Sequence, residues 1–146
     1  MTLLQNKKLR LNYEVLDTFH AGIELFGYEV KSLRNKHGSL DGSHITVRGG
    51  EAYIIGMHIP AYQVANTPKG YDDRRNRRLL LNRKELDKLS QSESKKGLTI
   101  APISVYNNNR LIKLDIAIVR GKKKHDKRQD LKQRDDEREM RRTLKS

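Results

Sequence analysis

The sequence predicts a mainly β fold: a small, closed or nearly closed antiparallel barrel with two or three short helices plugging its ends, followed by a basic tail. Three observations carry this. About six short stretches alternate apolar with polar residues, with turn formers at Gly49-Gly50 and Asn107-Asn108-Asn109 between them. Gly27–Arg34 and the stretch after Asn82 instead repeat apolar residues at i,i+3 spacing. Beyond Gly121 the alternation stops and charge takes over. Strands this short cannot all bury one face in a flat sheet, so closure is the natural solution.

Residues 6–10, NKKLR, form a short basic arm. Residues 12–25 read as one or two strands: Tyr13, Val15 and Phe19 share a parity, and Ala21-Gly22 permits a tight reversal before Ile23 and Leu25. Gly27–Arg34, GYEVKSLR, sets Val30 and Leu33 three apart and stops before Gly38, which predicts a two-turn helix. His44–Arg48 and residues 51–59 flank Gly49-Gly50, a pair able to take the positive φ angles of a tight hairpin. In the second of these strands Tyr53, Ile55, Met57 and Ile59 form the expected apolar face, and Pro60 ends it. Residues 67–76, TPKGYDDRRN, are turn formers and read as a mobile loop.

Strand resumes at residues 77–81. Asn82 with Glu85 three residues on predicts an N-cap and its reciprocal carboxylate, opening a helix with Leu86 and Leu89 on one face that ends near Gly97. Residues 98–106 and 111–120 form a second hairpin. Ile112, Leu114, Ile116 and Ile118 face one way, and Lys113, Asp115 and Ala117 the other. Pro102 breaks the parity of its strand and predicts a bulge or an edge.

The 146 residues suit one domain with an extension, assigned to residues 1–120 and 121–146. From Lys122 onward there are 11 basic and 6 acidic residues, no Gly, Pro or aromatic, and only Leu131, Met140 and Leu144 as larger apolar side chains. Pairs such as Asp130 with Arg134 favour a helix by a few tenths of a kcal/mol each, too little to hold one without a packed face. The tail is expected to be disordered when free and to fold on a partner. Fully helical, residues 122–146 span roughly 37 Å at 1.5 Å per residue. His125 is the one ring there able to stack on a base.

Thirty-one Lys and Arg against 18 Asp and Glu give a net charge of +13 and a pI near 10.1. This balance points to a polyanionic partner, because cationic side chains on nucleic acid release condensed counterions. With no cysteine, disulfides, thiol catalysis and Cys-based zinc sites are excluded. No apolar core of signal-peptide length follows residues 1–4, and nothing approaches the ~20 apolar residues of a membrane helix, so a cytoplasmic location is expected.

Enzymatic chemistry finds no support. The histidines at 20, 37, 44, 58 and 125 form no HExxH, and GxSxG and Walker-type loops are absent. Glu24 and Glu29 are possible paired carboxylates, but Glu29 with Lys31 and Arg34 reads more simply as a salt-bridged helix face. His58, between Met57 and Ile59, reads as structural. No metal or cofactor is expected. RNA recognition combines cations on phosphates with a few polar and stacking groups on a rigid surface. Candidates are Asn6-Lys7-Lys8, Arg74, Arg75, Arg77, Arg78 and Lys113. Tyr62 and Tyr71 either stack on bases or cap the barrel. A ribosomal structural protein anchored by its basic tail is a competing reading; a nuclease lacks its catalytic cluster.

The segments Gly27–Arg34, then Arg77-Arg78-Leu79-Leu80-Leu81, then Ala117-Ile118-Val119-Arg120-Gly121-Lys122-Lys123 with Asp126-Lys127-Arg128 resemble the SmpB, or SsrA-binding protein, family in order and spacing. The resemblance implies an oligonucleotide-binding-type (OB-like) barrel and a tail unstructured in solution. It implies a non-enzymatic adaptor of trans-translation and a free monomer. Its partners would be transfer-messenger RNA (tmRNA), gripped by the barrel at the D-loop and elbow of the tRNA-like domain, and the stalled ribosome, whose vacant mRNA channel the tail enters as a helix. Asn6, Lys7, Leu80 and Lys113 match positions that contact tmRNA. His20 stands at another such position, where relatives usually carry Glu; a carboxylate only accepts hydrogen bonds, whereas neutral imidazole offers one acceptor and one donor. Lys122, Lys123, His125, Asp126, Lys127 and Arg128 match the ribosome-binding tail, His125 at a position that stacks on a decoding-centre base.

Overall fold

The computed structural model describes residues 1–63, 65 and 67–122. The chain runs β1 (Thr2–Gln5), α1 (Leu9–Asn12), β2 (Tyr13–Ile23), α2 (Gly27–Arg34), β3 (His44–Arg48), β4 (Glu51–Ile55), β5 (Arg77–Leu80), α3 (Arg83–Glu93), β6 (Leu98–Asn108) and β7 (Leu111–Gly121). Seven strands form one antiparallel sheet in the order β1-β6-β7-β2-β5-β4-β3. The sheet curls until β3 packs against β6, with α3 lying on both. Among the described residues no ladder joins the two edge strands, so the barrel is closed by packing rather than by hydrogen bonds. No helix there is long and apolar enough to cross a membrane.

The main core lies inside this curl, with Leu33, Ile54, Leu79, Leu89, Ile100, Leu114 and Ile116 buried together. A smaller cluster sits on the opposite face of the same strands: Leu9 of α1 covers Ala101, Ala117 and Val119. Ala117, expected to point outward beside Lys113 and Asp115, is therefore buried. Its direction is as the alternation demands, but α1 roofs that end of the sheet. The roof leaves the other end of β7, with Lys113 and Asp115, open.

Three local expectations are met closely. Gly49 and Gly50 take φ of 58° and 77° in a two-residue turn between the paired Arg48 and Glu51. Asn82 Oδ1 accepts from Glu85 N–H at 2.9 Å while Glu85 Oε1 accepts from Asn82 N–H at 3.1 Å, opening α3. The β6 register slips between Pro102 and Ser104, a bulge at the expected proline.

Others need correction. There is no reversal at Ala21-Gly22: β2 continues to Ile23, and Gly22 instead gives room to Leu80, whose Cβ lies only 3.1 Å from where a Gly22 Cβ would stand. In β4 the buried side chains are Ala52 and Ile54, not Tyr53 and Ile55. Gly56, at φ 83°, ends the strand and resets the parity, so Met57 and Ile59 turn inward. Residues 2–5 form a seventh strand on β6, with Leu3 buried. The loop expected to be mobile is tied to the barrel: Tyr71 donates to Ile59 O at 2.7 Å, and Asp73 O accepts from Ile59 N–H at 2.9 Å.

Candidate nucleic-acid interface

Alternation along β2, β5, β6 and β7 sets two rows of side chains on the open outer face. In one row Leu80 of β5, Gly22 of β2, Lys113 of β7 and Tyr106 of β6 are successive register partners. In the next, His20 of β2 faces Asp115 of β7, which faces Ser104 of β6. Leu80 and Lys113 are two strands apart, about 10 Å at the usual strand spacing. Leu80 is 47% exposed, unusual for a leucine in a sheet, and it leans over the gap left by Gly22. A flat apolar surface thus adjoins a lysine, an arrangement suited to a ribose or base edge beside its phosphate.

His20 Nδ1 lies 2.6 Å from Asp115 Oδ1. Burial and the neighbouring Asp115 carboxylate push the Tyr106 phenol above its ordinary pKa, so this face carries one anionic centre flanked by a phenol, an imidazole and a lysine.

The fold thus gathers His20, Leu80 and Lys113. Asn6 and Lys7 lie at the β1 edge of the same sheet, just past Gln5, the register partner of Ser104. Asn6 is fixed by two bonds, its N–H to Ile103 O and its Nδ2 to Pro102 O, both 2.9 Å, which leave its side-chain oxygen as an acceptor. Lys7 is exposed. Lys122 is tied to the barrel through its backbone, its N–H donating to Asn12 O at 2.9 Å. Lys123, His125, Asp126, Lys127 and Arg128 lie outside the described residues.

The arginine run is different from expectation. Arg77 is fully buried, its Nε 2.7 Å from Glu29 Oε2 and its Nη1 2.6 Å from Met57 O. Arg75 binds Glu29 and lies over the Phe26 ring at 4.1 Å. Arg78 pairs with Glu24 at 3.3 Å and Glu51 at 3.0 Å, and Arg74 donates to Gly56 O at 3.1 Å. Arg75 and Arg77 thus serve the barrel through Glu29, whereas Arg74 stays exposed and Arg78 half-exposed on the side of Leu80. Glu29 itself is completely buried; its partners are Arg75 and Arg77, not Lys31 and Arg34. Burial pushes its pKa up, but the bond from Arg75, the Phe26 N–H and the Arg77 charge outweigh this and hold it below the usual carboxylate value. Tyr71 belongs to the same cluster: burial and the Glu29 charge push its phenol up to about 12. His58 bonds Asp73 at 3.3 Å and bridges to Ser39 through its backbone, a structural role.

The residues missed from sequence are Asp115, Tyr106 and Gly22. The parity of β7 already puts Asp115 beside Lys113; only the long-range register reveals that His20 is its partner.

A family model described as SmpB protein matches residues 3–146. The chain is 50% identical over 142 residues to the SsrA-binding protein of Oleidesulfovibrio alaskensis, covering 97% of this chain and 91% of that one. It is 44% identical over 136 residues to the SsrA-binding protein of Mycoplasma mycoides subsp. mycoides, covering 93% and 92%. Among solved structures it is similar to a chain from "tmRNA-SmpB: a journey to the center of the bacterial ribosome", with a TM-score of 0.70 and 38% identity over 85% of this chain and 87% of that one.

Proposed function

The chain belongs to the SmpB protein family, and from this we propose that it is an RNA-binding adaptor of trans-translation, not an enzyme, whose partners are transfer-messenger RNA and the bacterial ribosome. The tRNA-like domain of tmRNA binds the outer sheet face, with Lys113 on a phosphate, Leu80 against a sugar or base, His20 hydrogen-bonding, and Asn6 and Lys7 continuing the contact at the β1 edge. The tail, residues 121–146, serves the ribosome: it is disordered when free and helical in the mRNA channel, with Lys122, Lys123, Asp126, Lys127 and Arg128 on ribosomal RNA and His125 stacked on a base. Its place of action is the cytoplasm. The observation that carries the binding site is the row Leu80, Gly22, Lys113 with His20 beside it, on a stretch of outer sheet that α1 leaves open.

The test separates the two parts. Lys113→Ala should weaken tmRNA binding about tenfold, the scale of one charge-assisted hydrogen bond, and lower the log–log salt slope by something under one unit. A chain ending at Lys122 should bind tmRNA as the whole chain does yet fail to support tagging of stalled nascent chains, and His125→Ala should repeat that split in milder form. Loss of tmRNA binding on removing the tail, or unchanged binding and salt slope in Lys113→Ala, would overturn the assignment.

A further inference from the structure

We propose that Asp115 is a positioning residue of the RNA face: it orients His20 so that the imidazole presents Nε2 to the RNA as a hydrogen-bond acceptor. The inference rests on the binding face assigned above and adds to it a residue and a chemistry.

A carboxylate only accepts, so the 2.6 Å contact has Nδ1–H of His20 donating to Asp115 Oδ1. In the neutral ring the lone pair then sits on Nε2, because the partner of one nitrogen sets the state of the other. Exposure divides the labour: the His20 side chain is 72% exposed and that of Asp115 only 23%, so the ring reaches outward while the carboxylate stays behind it. Asp115 is itself held by neighbours from both flanking strands, the Tyr106 phenol on β6 and His20 on β2, with Lys113 two residues along β7. On the α3 side Lys88 pairs with Asp17 at 3.6 Å, and β5 contributes the apolar Leu80. Nε2 is then a directed acceptor beside a cation, suited to a ribose 2′-hydroxyl or a base N–H rather than to a phosphate oxygen.

The sign of the pH dependence separates this from simple charge attraction. Protonation would leave the bond to Asp115 intact but turn Nε2 into a donor, so His20 contributes less as pH falls. A histidine acting only as a cation would contribute more.

The experiment uses the full chain and the tRNA-like domain of tmRNA. Nitrogen-15 imidazole spectra of the free parent at high pH should show His20 with the proton on Nδ1; Asp115→Asn, whose amide can donate to Nδ1, should move it to Nε2 and weaken RNA binding about tenfold. Asp115→Glu should restore both. Between about pH 8 and about pH 5.5, the range in which histidine changes charge, binding by the parent should strengthen about fivefold less than binding by His20→Gln. A proton on Nε2 of His20 in the parent, or parental binding by Asp115→Asn while Lys113→Ala binds weakly, would overturn the role of Asp115. Parental binding by both variants would overturn the face itself, and this proposal with it.

Discussion

Glu29 is a carboxylate without access to water, held by Phe26 N–H at 2.8 Å, Arg75 at 2.5 Å and Arg77 at 2.7 Å. Removing its charge strands Arg77 in the barrel wall. Glu29→Gln should cost about 3–5 kcal/mol, the penalty of an uncompensated buried charge, read from urea unfolding near neutral pH. Because the folded-state pKa of Glu29 is depressed, its contribution is complete above the ordinary carboxylate value and is lost as pH falls through the depressed one. Stability profiles of the parent and of Glu29→Gln should accordingly converge on acidification. Arg77, one of four arginines in a polar stretch, looked like part of an RNA patch because composition cannot tell a solvated cation from a buried one. A readable signal was there: Arg77 shares its strand parity with the buried Leu79, and Arg78 with the exposed Leu80. The local spacing of Glu29 to Lys31 and Arg34 was equally visible and misleading, since the true partners lie more than 40 residues along the chain.

Elements whose signals are local were the legible ones: the GYEVKSLR helix, the Asn82 capping box, and the Gly49-Gly50 hairpin all fall where spacing puts them. β1 was missed because four residues cannot display a period and its partner β6 lies about a hundred positions away. Gly56 carries the least obvious element-scale instruction, a left-handed residue that ends β4 and turns the next apolar side chains inward. A Cβ there would meet nothing closer than 3.5 Å, so the cost of Gly56→Ala is conformational, about 1–2 kcal/mol, and should appear as a lower urea midpoint with an unchanged m-value. A similar loss would not follow at Gly27, whose φ is not in the left-handed region and whose Cβ site is empty. The proposed binding face was legible only by half: Lys113 and the N-terminal arm stand out as outward cations, but the row that joins Lys113 to Leu80 across Gly22 exists only once β2, β5 and β7 are in register.

At the scale of the molecule, the sheet is held together by its most distant parts. Tyr13 pairs with Gly121, and β7 lies between β2 and β6 along nearly its whole length. Such non-local pairing predicts slow folding, in the millisecond-to-second range, because loop closure must precede the contacts that reward it. β7, the last strand among the described residues, is therefore the one that joins the two longest ladders of the sheet. While the protein is being synthesised, the emerging polypeptide carries β2 and β6 with their inner flanks unpaired, two long adhesive edges awaiting a partner still to be translated. A product ending at residue 110 should stay unstructured by circular dichroism and bind chaperones or aggregate, while one ending at residue 122 should fold; native circular dichroism from the shorter product would refute this. Stability thus waits until β7 has been made, so synthesis interrupted before that strand yields waste rather than a partial adaptor.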